Sequence, residues 1–172
     1  MSSSLRLGKG EVQKLNEKKL ILLVDDNEFY HIAVKAILND KYEVLAFKSG
    51  QEAVEYTLQA TAPEALPPGS GRAGRRIPDL ILLDIVMPEM DGWVTYNRLK
   101  GMSEMQDVPI AFVTSVDGSS ELDHARDVGV ADFITKPYDK DDLLDRIEKI
   151  INRNEKKQGP GGEPGFTASG KH

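Results

Sequence analysis

The stretch Asp79-Leu80-Ile81-Leu82-Leu83-Asp84-Ile85-Val86-Met87-Pro88-Glu89-Met90-Asp91-Gly92 decides the fold. Residues 80–83 form an apolar run of strand length with no polar interruption, which suits a strand buried on both faces. The run ends on one carboxylate, Asp84. Pro88 and the pair Asp91-Gly92 then mark a tight connection into a helix. A carboxylate at the carboxyl end of a buried strand stands where open α/β sheets put their ligand sites. A lone aspartate of this kind is usually a polar strand end feeding a turn, so the flanking segments have to decide.

Upstream, residues 20–24 are a second apolar run, ending in Asp25-Asp26-Asn27, a carboxylate pair followed by a helix N-cap candidate. Over 28–39 the apolar residues Ile32, Ala33, Val34, Ala36, Ile37 and Leu38 recur at helical spacing. A partly alternating strand at 42–47 follows. Ser49-Gly50 then opens a helix to about residue 60, with Ala53, Val54 and Leu58 expected inward.

Downstream, a helix runs from 91 to about 102, a strand from 109 to 114 and a more polar helix from 119 to 128. The fifth strand, 131–135, is closed by Lys136-Pro137. The last helix, 139–153, carries Leu143, Leu144, Ile147, Ile150 and Ile151 on one stripe. Five strands alternating with five helices imply βαβ units, right-handed crossovers and a parallel sheet covered on both faces.

Three segments fall outside the alternating strand–helix pattern of the domain, residues 19–153, the last of them an insertion within it. Residues 1–18 are polar and read as a flexible leader, and 154–172, with Gly-Pro-Gly-Gly inside, as a flexible tail. Residues 61–77 hold Pro63, Pro67, Pro68 and three glycines, then Arg72, Arg75 and Arg76. Helix-to-strand links usually take about 2–6 residues, so this is an insertion. It reads as a surface loop, with a basic docking patch for an anionic partner as the alternative.

Composition sets outer limits. At 172 residues the chain fits one domain plus tails, and its 40% hydrophobic content supports a real core. The net charge of −6 gives no global reason to expect nucleic-acid or membrane binding. With no cysteine, neither a disulfide framework nor a thiolate metal site can form. The sequence contains no apolar run of membrane-spanning length and no signal-peptide core, so a cytoplasmic setting is expected.

Stacked in parallel, four strands end in polar groups at one edge of the sheet: Asp25 and Asp26, Asp84, Thr114, and Lys136. Carboxylates about 5 Å apart repel by roughly 3 kcal/mol per pair at an effective dielectric near 20. A cation is needed, and oxygen-only ligands indicate Mg²⁺, or Mn²⁺ as a second candidate. Magnesium shares its shell readily with phosphate oxygens, and Lys136 and Thr114 offer a phosphoryl group a point charge and a hydroxyl donor.

The motifs Val24-Asp25-Asp26-Asn27, Leu83-Asp84 through Asp91-Gly92, Val113-Thr114-Ser115 and Lys136-Pro137 resemble, in order and spacing, those of response-regulator receiver domains. The resemblance covers roughly residues 18–153. It implies a flavodoxin-like α/β fold, (βα)5, with strand order 2-1-3-4-5. It makes Asp84 the phosphoacceptor, fed by a phosphohistidine on a histidine kinase or histidine phosphotransfer protein. Asp26 becomes a direct metal ligand, Asp25 acts mainly through metal-bound water, and the Val86 carbonyl completes the protein's share with Asp84. Thr114 and the Ser115 amide would hold phosphoryl oxygens, and Lys136 would pair with another.

Phe133 takes the place of the family's switch aromatic, working with Thr114 to alter the face of helix 4, strand 5 and helix 5, which could also serve a phosphorylation-linked dimer. The Lys136-Pro137 bond is expected to be cis. By the same resemblance the chain is a signalling domain and not an enzyme. Whether it is freestanding or a piece of a hybrid kinase or output protein stays open.

Two other classes fit poorly. An aspartate-nucleophile, Mg²⁺-dependent phosphatase needs a second carboxylate two residues after the nucleophile, where this chain has Val86. A flavin-phosphate site after the first strand would meet repulsion from Asp25, Asp26 and Glu28.

Overall fold

Residues 18–62, 76–116 and 118–158 are described by the computed structural model. Residues 1–17, 63–75, 117 and 159–172 lie outside them, and with these the expected leader, most of the insertion and most of the tail. In chain order the elements are β1 (Lys19–Val24), α1 (Glu28–Leu38), β2 (Tyr42–Phe47), α2 (Gly50–Thr61), β3 (Leu80–Leu83) and α3 (Gly92–Lys100), then β4 (Ile110–Thr114), α4 (Ser119–Val128), β5 (Asp132–Thr135) and α5 (Lys140–Gln158). A 3-10 turn at Ser103–Met105 was not anticipated.

The strands pair in parallel in the order β2-β1-β3-β4-β5, the order the resemblance implied. Alternation along β1 shows how the sheet is covered. Leu20, Leu22 and Val24 face one core with Ala53 and Val54 of α2 and Tyr96 and Leu99 of α3. Ile21 and Leu23 face the other, with Val34 and Leu38 of α1 and Leu143, Ile147 and Ile150 of α5. All four residues of β3 are fully buried, as a central strand covered on both faces requires.

Helix ends follow from side chains at the caps. Asn27 Oδ1 accepts from Phe29 N at 3.0 Å, Ser49 Oγ from Glu52 N at 3.2 Å, and Asp91 Oδ1 from Val94 N at 2.9 Å. Asp139 Oδ1 accepts from Asp141 N at 2.8 Å, so Asp139 caps α5 instead of opening it.

Two expectations need correction, the inward face of α2 and the end of the last helix. Leu58 is exposed, and Thr57 is buried in its place, its hydroxyl donating to Ala53 O at 2.8 Å. On α1, Ile32 is exposed and His31 is the buried neighbour. The last helix runs five residues beyond 153, because the first breakers are Gly159-Pro160, and Glu155 in the added turn pairs with Lys19 at 2.7 Å. Of the insertion's arginines, Arg76 is described, and it bonds to Glu43 at 2.5 Å.

Candidate functional site

Because the strands are parallel, the carboxyl ends of β1, β3, β4 and β5 share one edge of the sheet. Asp25 and Asp26 directly follow β1, Asp84 follows β3, Thr114 closes β4, and Lys136 follows β5. Asp25, Asp26 and Asp84 can each offer one oxygen such that the three lie within 4.8 Å of one another. Asp25 and Asp84 are buried while Asp26 is exposed, so the cluster has a dry floor and one wet side.

Lys136 sits in this cluster. Its Nζ donates to Asp25 Oδ2 at 2.5 Å and to Asp84 Oδ2 at 3.3 Å, and its side chain is only 6% exposed. Beyond the phosphoryl oxygen expected as its partner after transfer, Lys136 has two carboxylates as partners. One ammonium among three carboxylates leaves two formal negative charges uncompensated. The Lys136-Pro137 peptide is cis, as expected.

Local hydrogen bonds hold the carboxylate-bearing loops. Asp25 Oδ1 accepts from Asn27 N at 2.8 Å, and Asp25 N donates to Phe47 O at 3.1 Å. His31 Nε2 lies 2.6 Å from the Asp25 main-chain oxygen; a carbonyl can only accept, so Nε2 carries the proton. Beyond Asp84, the Val86 amide donates to Asp84 Oδ1 at 3.3 Å, and the Val86 side chain is 60% exposed. Gly92 N donates to Ile85 O at 2.8 Å, so α3 begins against the acceptor loop. A Cβ at Gly92 would lie 2.3 Å from Asp84 O, which reserves this position for glycine.

The Thr114 side chain is fully buried and its Oγ1 accepts from Val116 N at 3.3 Å, with Ser115 exposed beside it. Phe133 is half-buried, its ring 6.3 Å from that of Phe112 in the core shared with α3. Next to the lysine, burial pushes the Tyr138 phenol up to about 12, helped by Tyr30 and the charge of Asp25.

Two contacts escaped the sequence reading. Besides His31 on Asp25, the Tyr30 ring lies under Lys136, its centroid 3.7 Å from Nζ. A helical wheel started at Asn27 could have found both, since the cap fixes which way the first turn of α1 faces. A cavity of about 540 Å³ lies at the opposite, amino-terminal edge, lined in part by Lys100, Val130 and Arg153. Lys100 there donates to the carbonyls of Gln106 at 2.9 Å and Val108 at 2.6 Å. It is remote from the carboxylates, which carry the chemistry.

The donor set suits a divalent cation: three carboxylates, no soft ligand, and two uncompensated charges. Among the described residues, no helix is long and apolar enough to cross a membrane.

Comparison with known proteins agrees with this geometry. Residues 21–148 match the model of the response regulator receiver domain. The chain is 32% identical over 130 residues to the response regulator PleD of Caulobacter vibrioides, covering 76% of this chain and 25% of PleD. It is 31% identical over 134 residues to the chemotaxis protein CheY of Bacillus subtilis, covering 77% of this chain and 97% of CheY. It thus spans only about a quarter of PleD but nearly all of CheY. Among solved structures, the receiver domain of a Pseudomonas aeruginosa sensor histidine kinase shares the fold at a TM-score of 0.63 and 23% identity, over 78% of this chain and 98% of that one; it holds a magnesium ion coordinated in its active-site cleft. With a family match over most of the fold and the motifs gathered at one sheet edge, the chain belongs to the response regulator receiver domain family of two-component signalling.

Proposed function

We propose that the domain is a Mg²⁺-dependent phosphoacceptor that takes its phosphoryl group on Asp84 from a phosphohistidine of a histidine kinase or histidine phosphotransfer protein. The observation that carries this reading is the cluster of Asp25, Asp26 and Asp84 around Lys136 at the carboxyl edge of the sheet. A lone-pair oxygen of Asp84 attacks phosphorus, and the phosphorus–nitrogen bond breaks. The electron pair goes to the imidazole nitrogen of a phosphohistidine whose other ring nitrogen is protonated, so that neutral histidine leaves with that proton and an aspartyl phosphate remains on Asp84.

This chain's part is positioning and charge neutralisation. Lys136, already 3.3 Å from Asp84, moves onto a phosphoryl oxygen. Thr114 and the Ser115 amide take the others. Asp26, Asp25 (mainly through water), Asp84 and the Val86 carbonyl are the groups that would hold Mg²⁺, or Mn²⁺. When bound, the ion neutralises charge shared between the carboxylates and the phosphoryl oxygens.

The donor protein must approach a mouth with apolar residues on two sides. Phe29 (82% exposed) and Ile32 share one face of α1 just after Asp26, and Val86 follows Asp84. A partner offering an apolar helical face around its histidine fits this surface.

On phosphorylation Thr114 shifts toward the phosphoryl group, Phe133 follows, and the α4–β5–α5 face changes for a downstream protein or a second copy. The domain acts as a switch in the cytoplasm and is not itself an output enzyme. The second reading is a receiver piece of a hybrid kinase or output protein; the chain spans about a quarter of PleD and nearly all of CheY.

The test is incubation with phosphoramidate and Mg²⁺, followed by mapping of the adduct by mass spectrometry. Labelling on Asp84, lost in Asp84→Asn and on chelation of Mg²⁺, supports the reading. Equal labelling of wild type and Asp84→Asn would sink it.

A further inference from the structure

We infer that Tyr30 is a positioning residue for phosphoryl transfer, its ring face holding the Lys136 ammonium in the site while that ammonium changes partners. The inference rests on the phosphoacceptor reading of Asp84 and adds a residue that no motif contains.

The argument begins at the start of α1. Asn27 caps the helix through Phe29 N, and Tyr30 N donates to Asn27 O at 3.1 Å, so the orientation of the first turn is set. Successive helical residues point about 100° apart. Phe29 therefore faces solvent, Tyr30 is half-buried, and His31 is buried, with its Nε2–H on the Asp25 carbonyl. That turn grips the site twice by side chains, His31 holding the Asp25 main-chain carbonyl and Tyr30 the Lys136 ammonium.

Lys136 Nζ has two carboxylate oxygens at 2.5 and 3.3 Å and the Tyr30 centroid at 3.7 Å. The lysine side chain is 6% exposed, so the ring meets a largely dehydrated cation, where the attraction is strongest.

A carboxylate competes with an incoming phosphoryl oxygen for the ammonium's N–H donors. An aromatic face attracts the positive charge without fixing any one N–H direction. When Lys136 leaves Asp25 for a phosphoryl oxygen, the ring contact can persist through the exchange. Without it, the four-carbon stem holds the charge by hydrogen bonds alone, and these must break for the reaction to proceed. A ring face thus favours the exchange without competing in it.

The experiment uses the full chain with phosphoramidate and saturating Mg²⁺, following phosphorylation of Asp84 by mass spectrometry. Tyr30 is replaced by Phe, by Leu, and by phenylalanines bearing one, two or three ring fluorines. Tyr30→Phe is expected to keep at least half of the wild-type rate constant. Tyr30→Leu is expected to lose about tenfold, equivalent to about 1.4 kcal/mol. The fluorinated series is expected to decline stepwise in log rate, because each fluorine weakens the negative face without changing ring size.

A second readout is independent of transfer. The Lys136 Hε protons should be shifted upfield by the ring in wild type and Tyr30→Phe, and lose that shift in Tyr30→Leu. A Leu variant with wild-type rate, a Phe variant as slow as Leu, or a flat fluorine series would each overturn the role of the ring. All three leave the Asp84 reading standing so long as the label maps there. Label that persists in Asp84→Asn would instead overturn the reading beneath it.

Discussion

Lys136→Met tests how the carboxylate cluster is held together. The wild-type ammonium is within 2.5 Å of Asp25 Oδ2 and 3.3 Å of Asp84 Oδ2, and the three side chains are 6%, 3% and 9% exposed. Methionine keeps most of the apolar stem and removes the charge, leaving Asp25 and Asp84 buried without it. Breaking a buried pair by deleting one partner destabilises by about 3–5 kcal/mol. In a domain of this size that lowers Tm by roughly 6–20 °C.

Divalent cation should then help the variant more than the wild type. In the wild type the ion must displace Lys136 from Asp25, whereas in Lys136→Met the oxygens are free to receive it. A ligand at a hundredfold over its Kd stabilises by about 2.7 kcal/mol, and the tighter binder passes that point at lower concentration. The assay is urea unfolding followed through Trp93 emission, at several Mg²⁺ concentrations. A Lys136→Met loss under about 1 kcal/mol, or identical Mg²⁺ dependence in the two proteins, would refute this account of the cluster.

Gly92→Ala should destabilise by about 1–3 kcal/mol and slow labelling of Asp84, because its Cβ would meet Asp84 O at 2.3 Å and Ile85 Cα at 2.7 Å; thermal melts and the phosphoramidate assay check both effects. Glu89 has φ 64°, so Glu89→Gly should be neutral or stabilising by up to about 1 kcal/mol while Glu89→Val destabilises, as read by urea midpoints. Tyr138 has its phenol raised to about 12, so its contribution to stability is complete below the ordinary value near 10 and is lost as pH rises through 12; Tyr138→Phe should flatten the fall of stability across that window. By the family resemblance, the positions two residues after Asp84 and two after Thr114 flank the attacking water; here they hold Val86 and half-buried Val116, which can neither donate nor accept a hydrogen bond, so the aspartyl phosphate should be long-lived. Val86→Asn or Val116→Glu should speed its decay by about tenfold in Mg²⁺ buffer, read as loss of the mass adduct.

Most of the fold was legible because the strands are unusually plain. Residues 20–24 and 80–83 are unbroken apolar runs, and only a sheet covered on both sides buries every residue of such a run. The carboxylates and Lys136 were legible for a related reason: each is a polar residue that abruptly ends an apolar run, and parallel pairing carries all such ends to one edge.

Helix faces were harder to read. Leu58 looked inward by composition, but the wheel gives that place to Thr57, which can be buried because its hydroxyl finds the Ala53 carbonyl one turn back. On α1, His31 is buried while Ile32 is exposed, with the Asp25 carbonyl satisfying the buried imidazole. A rule that counts only apolar residues misses any polar residue whose partner is a main-chain carbonyl. The end of α5 shows the converse. Polar residues after 153 suggested a tail, yet nothing there breaks a helix until Gly159-Pro160, and the Lys19–Glu155 pair links the added turn to β1.

The same reasoning explains why the position of Lys136 was legible while its carboxylate partners, Asp25 and Asp84, were not. Its position follows from the end of β5, which strand pairing determines. Its contacts follow from charge balance among groups 52 and 111 residues away in the chain, which spacing alone does not contain. Among Asp25, Asp84 and the Tyr30 ring, the ammonium takes the nearest negative charge first and retains the ring as well. Position is therefore a property of the fold, and partnership a property of what else the edge of the sheet holds. On the proposed reading, a phosphoryl group added at Asp84 would change the second without disturbing the first, and a switch of this kind requires that separation.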